Sequence, residues 1–513
     1  MNRGLFRASV TVTALSLAGL AASFCIQLFL AARFGAATST DAYLAAVTIP
    51  TVLNTVFLTA LSVAFVPVFV QYDAGGSREA WRVANGFSVV VLLVLGLFVL
   101  AGTALSATLV RWVAPGLAGH PQALALASSL QWILLPAMLP AAWSALLASL
   151  FYARQSFVIP SLGPLLASLV TLLVAWAFAN SAGIHAVAAG VLAGHMAQAL
   201  FLWLCLIYRF RPPLTFTIAH PGVRQIGRLM LPWLLGAIIY KGNPVVDRVI
   251  ASQFPAGAIS MLGYALMLAQ VAVFVCSKGA SQAVFPAMAR LASAGERGQF
   301  PAVIDTGLRL VLAAVVPAVV LIALLAEPLV AAALQRGVFT AADSRGTAHA
   351  LLAYTGAIVA LALGNILTYA FYALQDTRTP AVIGVMGMAL NIALALTLRG
   401  SVGFLAPALS FSAMCLFNLV VLAAVLRRRM GRLVLPRFAA FSLRTALAGL
   451  LMAVGILAAR ASQAALPAAW AVPMVALIYP ALAGVSVYAL LLGLAHRAQL
   501  RRMVRRFAHR AAA

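Results

Sequence analysis

Four charged side chains stand inside otherwise apolar sequence near the middle of the chain: Lys241, Asp247, Arg248 and Lys278. A charge at the centre of a bilayer costs about 2.5 to 3.5 kcal/mol on insertion scales, so such residues face a cavity or a partner rather than lipid. Lys241 and Arg248 are seven residues apart, which on a continuous helix is about 10.5 Å along one stripe. Two cations on one wall suit a diphosphate, with arginine as a bidentate fork and lysine as a point charge. The competing reading pairs Asp247 with Arg248 as mutual neutralisers and lets Lys278 snorkel toward water. Asn54, Thr55 and Thr59 add neutral hydrogen-bonding groups to one apolar segment, suited to sugar or phosphate oxygens and equally to bonds between helices. Asp41 starts that segment, where a carboxylate complements a helix N-terminus or acts as a gate. His195 reads first as a packed, hydrogen-bonded histidine and second as a proton relay.

The elements that must position these residues are membrane helices. Roughly fourteen apolar stretches, each of the ~20 residues that cross a bilayer, follow one another. The composition, 64% hydrophobic and 8% charged over 513 residues, is foreign to a soluble globule. The second crossing is expected over Thr40 to Gln71, the seventh over Leu229 to Ser252, the eighth over Ile259 to Leu291 and the eleventh over Ala381 to Leu398. The run after Arg3 and Arg7 continues to Ala32 with no small-x-small site, so it reads as the first crossing and not as a cleaved signal. An even number of crossings puts both termini on one side. Arginines concentrate in the tail from Arg497 to Arg510, at Arg427, Arg428, Arg429, Arg432 and Arg437, and at Arg209, Arg211, Arg224 and Arg228. By the positive-inside rule both ends are cytoplasmic. The net charge of +25 then reflects topology and contact with anionic lipid rather than nucleic-acid binding.

Shifting the chain by 219 residues lays Ala64, Pro67, Gly76 and Arg78 on Ala283, Pro286, Gly295 and Arg297. The expectation is an all-α polytopic protein: a lobe of helices 1 to 6 over 1–226, a second of helices 7 to 12 over 227–430, and two further helices with a basic tail over 431–513. Two homologous six-helix bundles are the plan of an alternating-access transporter. No Walker-type, H-E-x-x-H or loop-exposed G-x-S-x-G motif is present, so an enzyme is not expected. The four cysteines show no paired spacing, which gives no metal or disulfide framework.

The phrases FGAATSTDAY (34–43), AFVP (64–67), VDRVIAS (246–252), GLRL (307–310), RGVFTAAD (336–343) and FYALQDTRTP (371–380) resemble the MurJ/MviN family of lipid II flippases, within the multidrug/oligosaccharidyl-lipid/polysaccharide exporter superfamily. The resemblance runs from about residue 10 to 430. It implies movement of an undecaprenyl-diphosphate-linked saccharide, either lipid II or another cell-envelope or exopolysaccharide precursor, from the cytoplasmic to the periplasmic leaflet of a bacterial inner membrane. The alternative is a cation-coupled exporter of small amphiphilic compounds. The family's cavity arginines on helices 1, 2 and 8 have no counterpart here: Val10 to Ala32 carries no charge, and Tyr264-Ala265 is followed by Leu266 and Met267. The cationic wall is therefore expected on Lys241 and Arg248, with Lys278 beyond it. By the same resemblance Asp247 and Asn391 could hold a coupling sodium ion, with proton coupling as the other option, although Ala395 occupies the place of a second carboxylate. No cofactor is implied. Membrane lipids and glycan synthases or polymerases are the expected partners.

Overall fold

A computed structural model describes residues 3–73, 78–211, 213, 220–294, 298–430, 435–464 and 473–495. Gly76, Gly295, Arg297 and the tail arginines fall outside them, as does the side chain of Lys241. The described residues form eighteen α-helices and no strand. The first eight are α1 (Arg3–Phe34), α2 (Thr38–Tyr72), α3 (Arg78–Ala104), α4 (Ser106–Val113), α5 (Pro121–Leu134), α6 (Met138–Ala153), α7 (Val158–Ala182) and α8 (His185–Phe210). Then come α9 (Pro221–Lys241), α10 (Asn243–Ala251), α11 (Ala258–Ser293), α12 (Phe300–Leu334), α13 (Ala341–Ala353) and α14 (Thr355–Ala373). The last four are α15 (Arg378–Val402), α16 (Ala406–Met430), α17 (Leu435–Ala464) and α18 (Pro473–Ala495). Among the described residues twelve helical stretches are long and apolar enough to cross a membrane, one of them, Arg378–Met430, containing both α15 and α16. Leu93, Leu97 and Leu100 of α3 are 62–71% exposed, as expected of a helix that turns an apolar face to hydrocarbon.

The chain divides into two compact units. Unit 1 is Met1–Ser260 with Arg336–Phe339, and unit 2 is Met261–Gln335 with Thr340–Ala513. In unit 1, α2 packs on α5, α6 and α9, and α7 packs on α8 and α1. Its core holds stacked rings, Phe65 lying 5.8 Å from Phe69 and 5.6 Å from Phe87. In unit 2, α14 and α15 both pack on α16, and α12 packs on α14, α17 and α18.

Prolines shape the long helices by removing donors. Pro317 and Pro328 lie inside α12, where Leu325 leaves helical geometry (φ −124°, ψ 22°). A helical proline frees the carbonyl four residues before it, here those of Ala313 and Leu324. Both carbonyls find donors on the last two helices: Tyr488 Oη donates to Ala313 O at 2.9 Å, and Arg460 Nη1 to Leu324 O at 2.9 Å. The appended helices α17 and α18 thus satisfy the backbone of a bent neighbour, which is what allows such a bend in a membrane.

Some local features recur in the two units. Pro67 lies inside α2 and Pro286 inside α11, helices of 35 and 36 residues. Helices α7 and α15 both have 25 residues and end at glycines with positive φ, Gly183 (+55°) and Gly403 (+64°).

Candidate functional site

The expected seventh helix is not continuous. Helix α9 ends at Lys241, Gly242 caps α10, and Pro244 occupies its first turn. Pro244 has no N–H to offer the Tyr240 carbonyl, so the ladder cannot pass this point; the backbone closes instead through Val245 N to Gly242 O at 2.9 Å. The single Lys241–Arg248 stripe is corrected accordingly: the two residues belong to separate helices.

Around α10, unit 1 gathers several expected site residues at one end. Asp41 is 4% exposed. It does not cap its own helix, because Ala37 is the N-cap of α2 and makes no side-chain bond there. Its carboxylate instead receives Gly257 N (2.7 Å), Ser260 N (2.8 Å) and Ser260 Oγ (2.7 Å). These are the otherwise orphaned donors at the start of α11, so Asp41 satisfies and charge-matches the first turn of a helix more than 200 residues away in sequence. Arg248 Nη1 donates to Ile259 O at 2.9 Å in the same turn and is the charged neighbour of both Asp41 and Asp247. Ser252 Oγ accepts from Gly116 N at 3.0 Å. A Cβ on Gly116 would lie 1.7 Å from Ser252 O, so only glycine permits this approach. The Arg336–Phe339 segment joins the end of α1 through Val338 N to Ala32 O at 3.0 Å. Gly337, at φ +61°, would place a Cβ 2.1 Å from that same oxygen.

Beside this knot lies a cavity of about 360 Å³ lined by Thr38, Asp41, His120, Gln122, Ser252 and Phe254, among others. Asp247 points elsewhere in chemical terms: it is 6% exposed and its Oδ1 is buried without a hydrogen-bond partner. A buried acceptor in that condition is costly unless a proton or cation reaches it. Among the described residues no three His, Cys, Asp or Glu side chains cluster as metal ligands would. Asn391 is fully buried on α15 and belongs to unit 2, whereas Asp247 belongs to unit 1.

The remaining expected residues are dispersed. Thr55 Oγ1 and Thr59 Oγ1 donate back to Thr51 O (2.8 Å) and Thr55 O (2.9 Å), leaving their lone pairs outward. Asn54 sits on another side of α2 in a small pocket with His195. Lys278 is exposed on α11, its Nζ 5.7 Å from the Phe274 ring centre.

Three ion pairs escaped the sequence reading. Arg154 makes a fork on Asp73, with Nη2–Oδ1 2.8 Å and Nε–Oδ2 3.2 Å. Arg429 reaches Asp376 at 2.5 Å. Arg309 meets Asp305 at 2.7 Å, one helical turn away. Only the last left a sequence signal, the i, i+4 spacing of opposite charges on one helix.

A profile of the family described as lipid II flippase MurJ matches residues 30–481. The chain belongs to the lipid II flippase MurJ family. A probable lipid II flippase MurJ of Vibrio cholerae is 28% identical over 436 residues, covering 82% of this chain and 83% of that protein. The lipid II flippase MurJ of Burkholderia cenocepacia is 26% identical over 390 residues, covering 74% and 76%. Among solved structures, a lipid II flippase MurJ in an inward closed conformation has a TM-score of 0.81 at 20% identity, covering 96% of this chain and all of that one. An inward-facing MATE family multidrug transporter has a TM-score of 0.69 at 12% identity, covering 83% and 98%. The MurJ fold is thereby established for this chain.

Proposed function

We propose that this protein moves an undecaprenyl-diphosphate-linked saccharide, lipid II first among them, from the cytoplasmic to the periplasmic leaflet of a bacterial inner membrane by alternating access. The observation that carries this reading is the MurJ family match across residues 30–481. Fourteen crossings, cytoplasmic termini, lobes at 1–226 and 227–430 and an appendage at 431–513 complete it. The protein acts as a transporter and not as an enzyme, with glycan synthases or polymerases as candidate partners.

In this reading Lys241, Arg248 and Lys278 hold the diphosphate, with Asn54, Thr55 and Thr59 offering hydrogen bonds to the head group. Arg248 is engaged with Ile259 O, so it must leave that carbonyl to take a phosphate oxygen. Asp247 and Asn391 bind the coupling cation, sodium or proton, and Asp41 serves as a gate by releasing the first turn of α11. The deciding experiment is depletion of a host's lipid II flippase. Restored growth and lipid II translocation support the proposal. No rescue by a well-expressed, inserted protein points to another lipid-linked glycan. Export of small amphiphilic cations instead would replace it with the drug-exporter alternative, which the MATE likeness keeps in play.

A further inference from the structure

Inside unit 1, residues of α2, α5, α6 and α8 line a second, half-open pocket of about 50 Å³. Its walls are mostly apolar, including Val47, Leu134, Met138, Ala141 and Val191, yet Asn54 and His195 also line it. Asn54 Oδ1 and His195 Nδ1 are both buried and have no hydrogen-bond partner. The other side of the imidazole is occupied, because His195 bonds the Gln198 side chain. With Nε2 donating to that amide, Nδ1 carries a lone pair, so the pocket presents two unmet acceptors, with the Thr51 hydroxyl also on its wall. Pro50 also lines the pocket. Lacking an N–H, it leaves the Ala46 carbonyl without its helical donor.

An unmet buried acceptor costs about 1 to 3 kcal/mol, and a helix bent at proline in a membrane depends on something to replace the lost donor. A water molecule occupies roughly 30 Å³ of liquid and needs two to four polar partners, and this space supplies both. No Asp, Glu, Lys or Arg lines the pocket, and His195 is its one titratable group, so nothing there would hold an imidazolium or a metal ion. We propose that the pocket is a binding site for one water molecule, which donates one hydrogen to Asn54 Oδ1 and the other to His195 Nδ1 beside Pro50 of α2. This inference does not depend on the transported substrate.

Radiolysis of water in place tests it on the intact protein in lipid nanodiscs, because hydroxyl radicals formed at a bound water oxidise the nearest methionine to its sulfoxide. Met138 is 4% exposed and lines the pocket, whereas Met452 is fully buried among Leu325, Ile456 and Tyr488. Met138 should oxidise several-fold faster than Met452, and the excess should disappear in Asn54→Leu. Equal rates in the wild-type protein mean a dry pocket and overturn the proposal. The nitrogen resonances of His195 supply the second readout: at neutral pH Nδ1 should be the unprotonated, accepting nitrogen and Nε2 the one that carries hydrogen. A hydrogen on Nδ1 would show that a proton and not a donating water fills the gap.

Discussion

The same turn is built twice, once in each unit, and its charges are reversed. Phe151-Tyr-Ala-Arg-Gln-Ser in unit 1 and Phe371-Tyr-Ala-Leu-Gln-Asp in unit 2 join α6 to α7 and α14 to α15. Both close with the paired bonds that end a helix in a left-handed residue. Ser156 N reaches Phe151 O and Asp376 N reaches Phe371 O at 2.9 Å, while Gln155 N and Gln375 N reach Tyr152 O and Tyr372 O at 3.0 Å. Gln155 and Gln375 both have φ of 57°. Yet unit 1 places a cation in the turn, Arg154, against Asp73 after the end of α2. Unit 2 places an anion there, Asp376, against Arg429 in the last turn of α16. A duplicated backbone therefore fixes where a clamp can be made, and leaves free which sign the turn contributes and which helix answers.

The two clamps differ most in how far they are withdrawn from water, and that difference yields the largest predicted effect. Arg154 is 21% exposed against 47% for Arg429. It forks on Asp73 and lies between Trp81 (4.9 Å) and Phe210 (4.8 Å), whereas Arg429 has the Phe371 ring at 5.6 Å. Arg154→Ala should cost about 2 to 3 kcal/mol, leaving Asp73 half-buried and unpaired, against about 0.5 kcal/mol or less for Arg429→Ala. Apparent melting temperatures in detergent, arranged as double-mutant cycles with Asp73→Ala and Asp376→Ala, measure both couplings. Equal couplings would break the comparison.

A finer contrast uses lysine. Arg154→Lys keeps the charge but loses the fork and the flat stacking on two rings, so it should still cost about 1 kcal/mol. Arg429→Lys should be indistinguishable from wild type in the same melts. Retained stability in Arg154→Lys would mean that the unit 1 clamp works by charge alone.

Much of this could be read in advance, and the rest fails for identifiable reasons. The apolar runs are helices because ~20 apolar residues admit little else in a membrane, and the proline-bearing copies at Pro67 and Pro286 are both inside long helices. The turn repeat was also legible: Phe151, Tyr152, Ala153, Gln155 and Pro160 recur 220 residues later, a match the shift of 219 passes over. The break between α9 and α10 was signalled by Gly242 and Pro244, but prolines bend membrane helices more often than they end them, and hydropathy is blind to the difference. The partners of Asp41, Arg154 and Asp376 could not be read at all. They lie 216, 81 and 53 residues away, and a lone charge in sequence does not indicate which helix end will meet it.

The backbone half of the comparison predicts equality. A non-glycine residue at positive φ carries about 1 kcal/mol of strain or more, partly offset by the entropy glycine loses on folding. Gln155→Gly and Gln375→Gly should each stabilise by about 0.5 kcal/mol, and by the same amount. A gain in one turn and a loss in the other would show that the shared geometry hides unequal strain.

The smallest effect belongs to the turn of unit 2 and appears on acidification. The Asp376 carboxyl is held down at about 2, below the ordinary 3.8, chiefly by the Thr379 hydroxyl and also by the Thr379 N–H and Arg429. Thr379 Oγ1 donates at 2.6 Å and Thr379 N at 3.0 Å. A carboxyl depressed on folding stabilises fully above its unfolded value and loses that contribution as pH falls through its folded value. The Asp376 contribution is thus complete above about pH 4 and is lost as the pH approaches about 2. The melting difference between wild type and Asp376→Asn should be constant down to about pH 4 and shrink below it, with half-exposed Arg429 keeping it smaller than the Arg154 effect. Thr379→Val should move the onset of that loss to higher pH more than Arg429→Ala does, because the hydroxyl is the stronger hold. The reverse order would make the ion pair the true anchor of this turn, and unit 2 would then resemble unit 1 in mechanism despite its reversed charges.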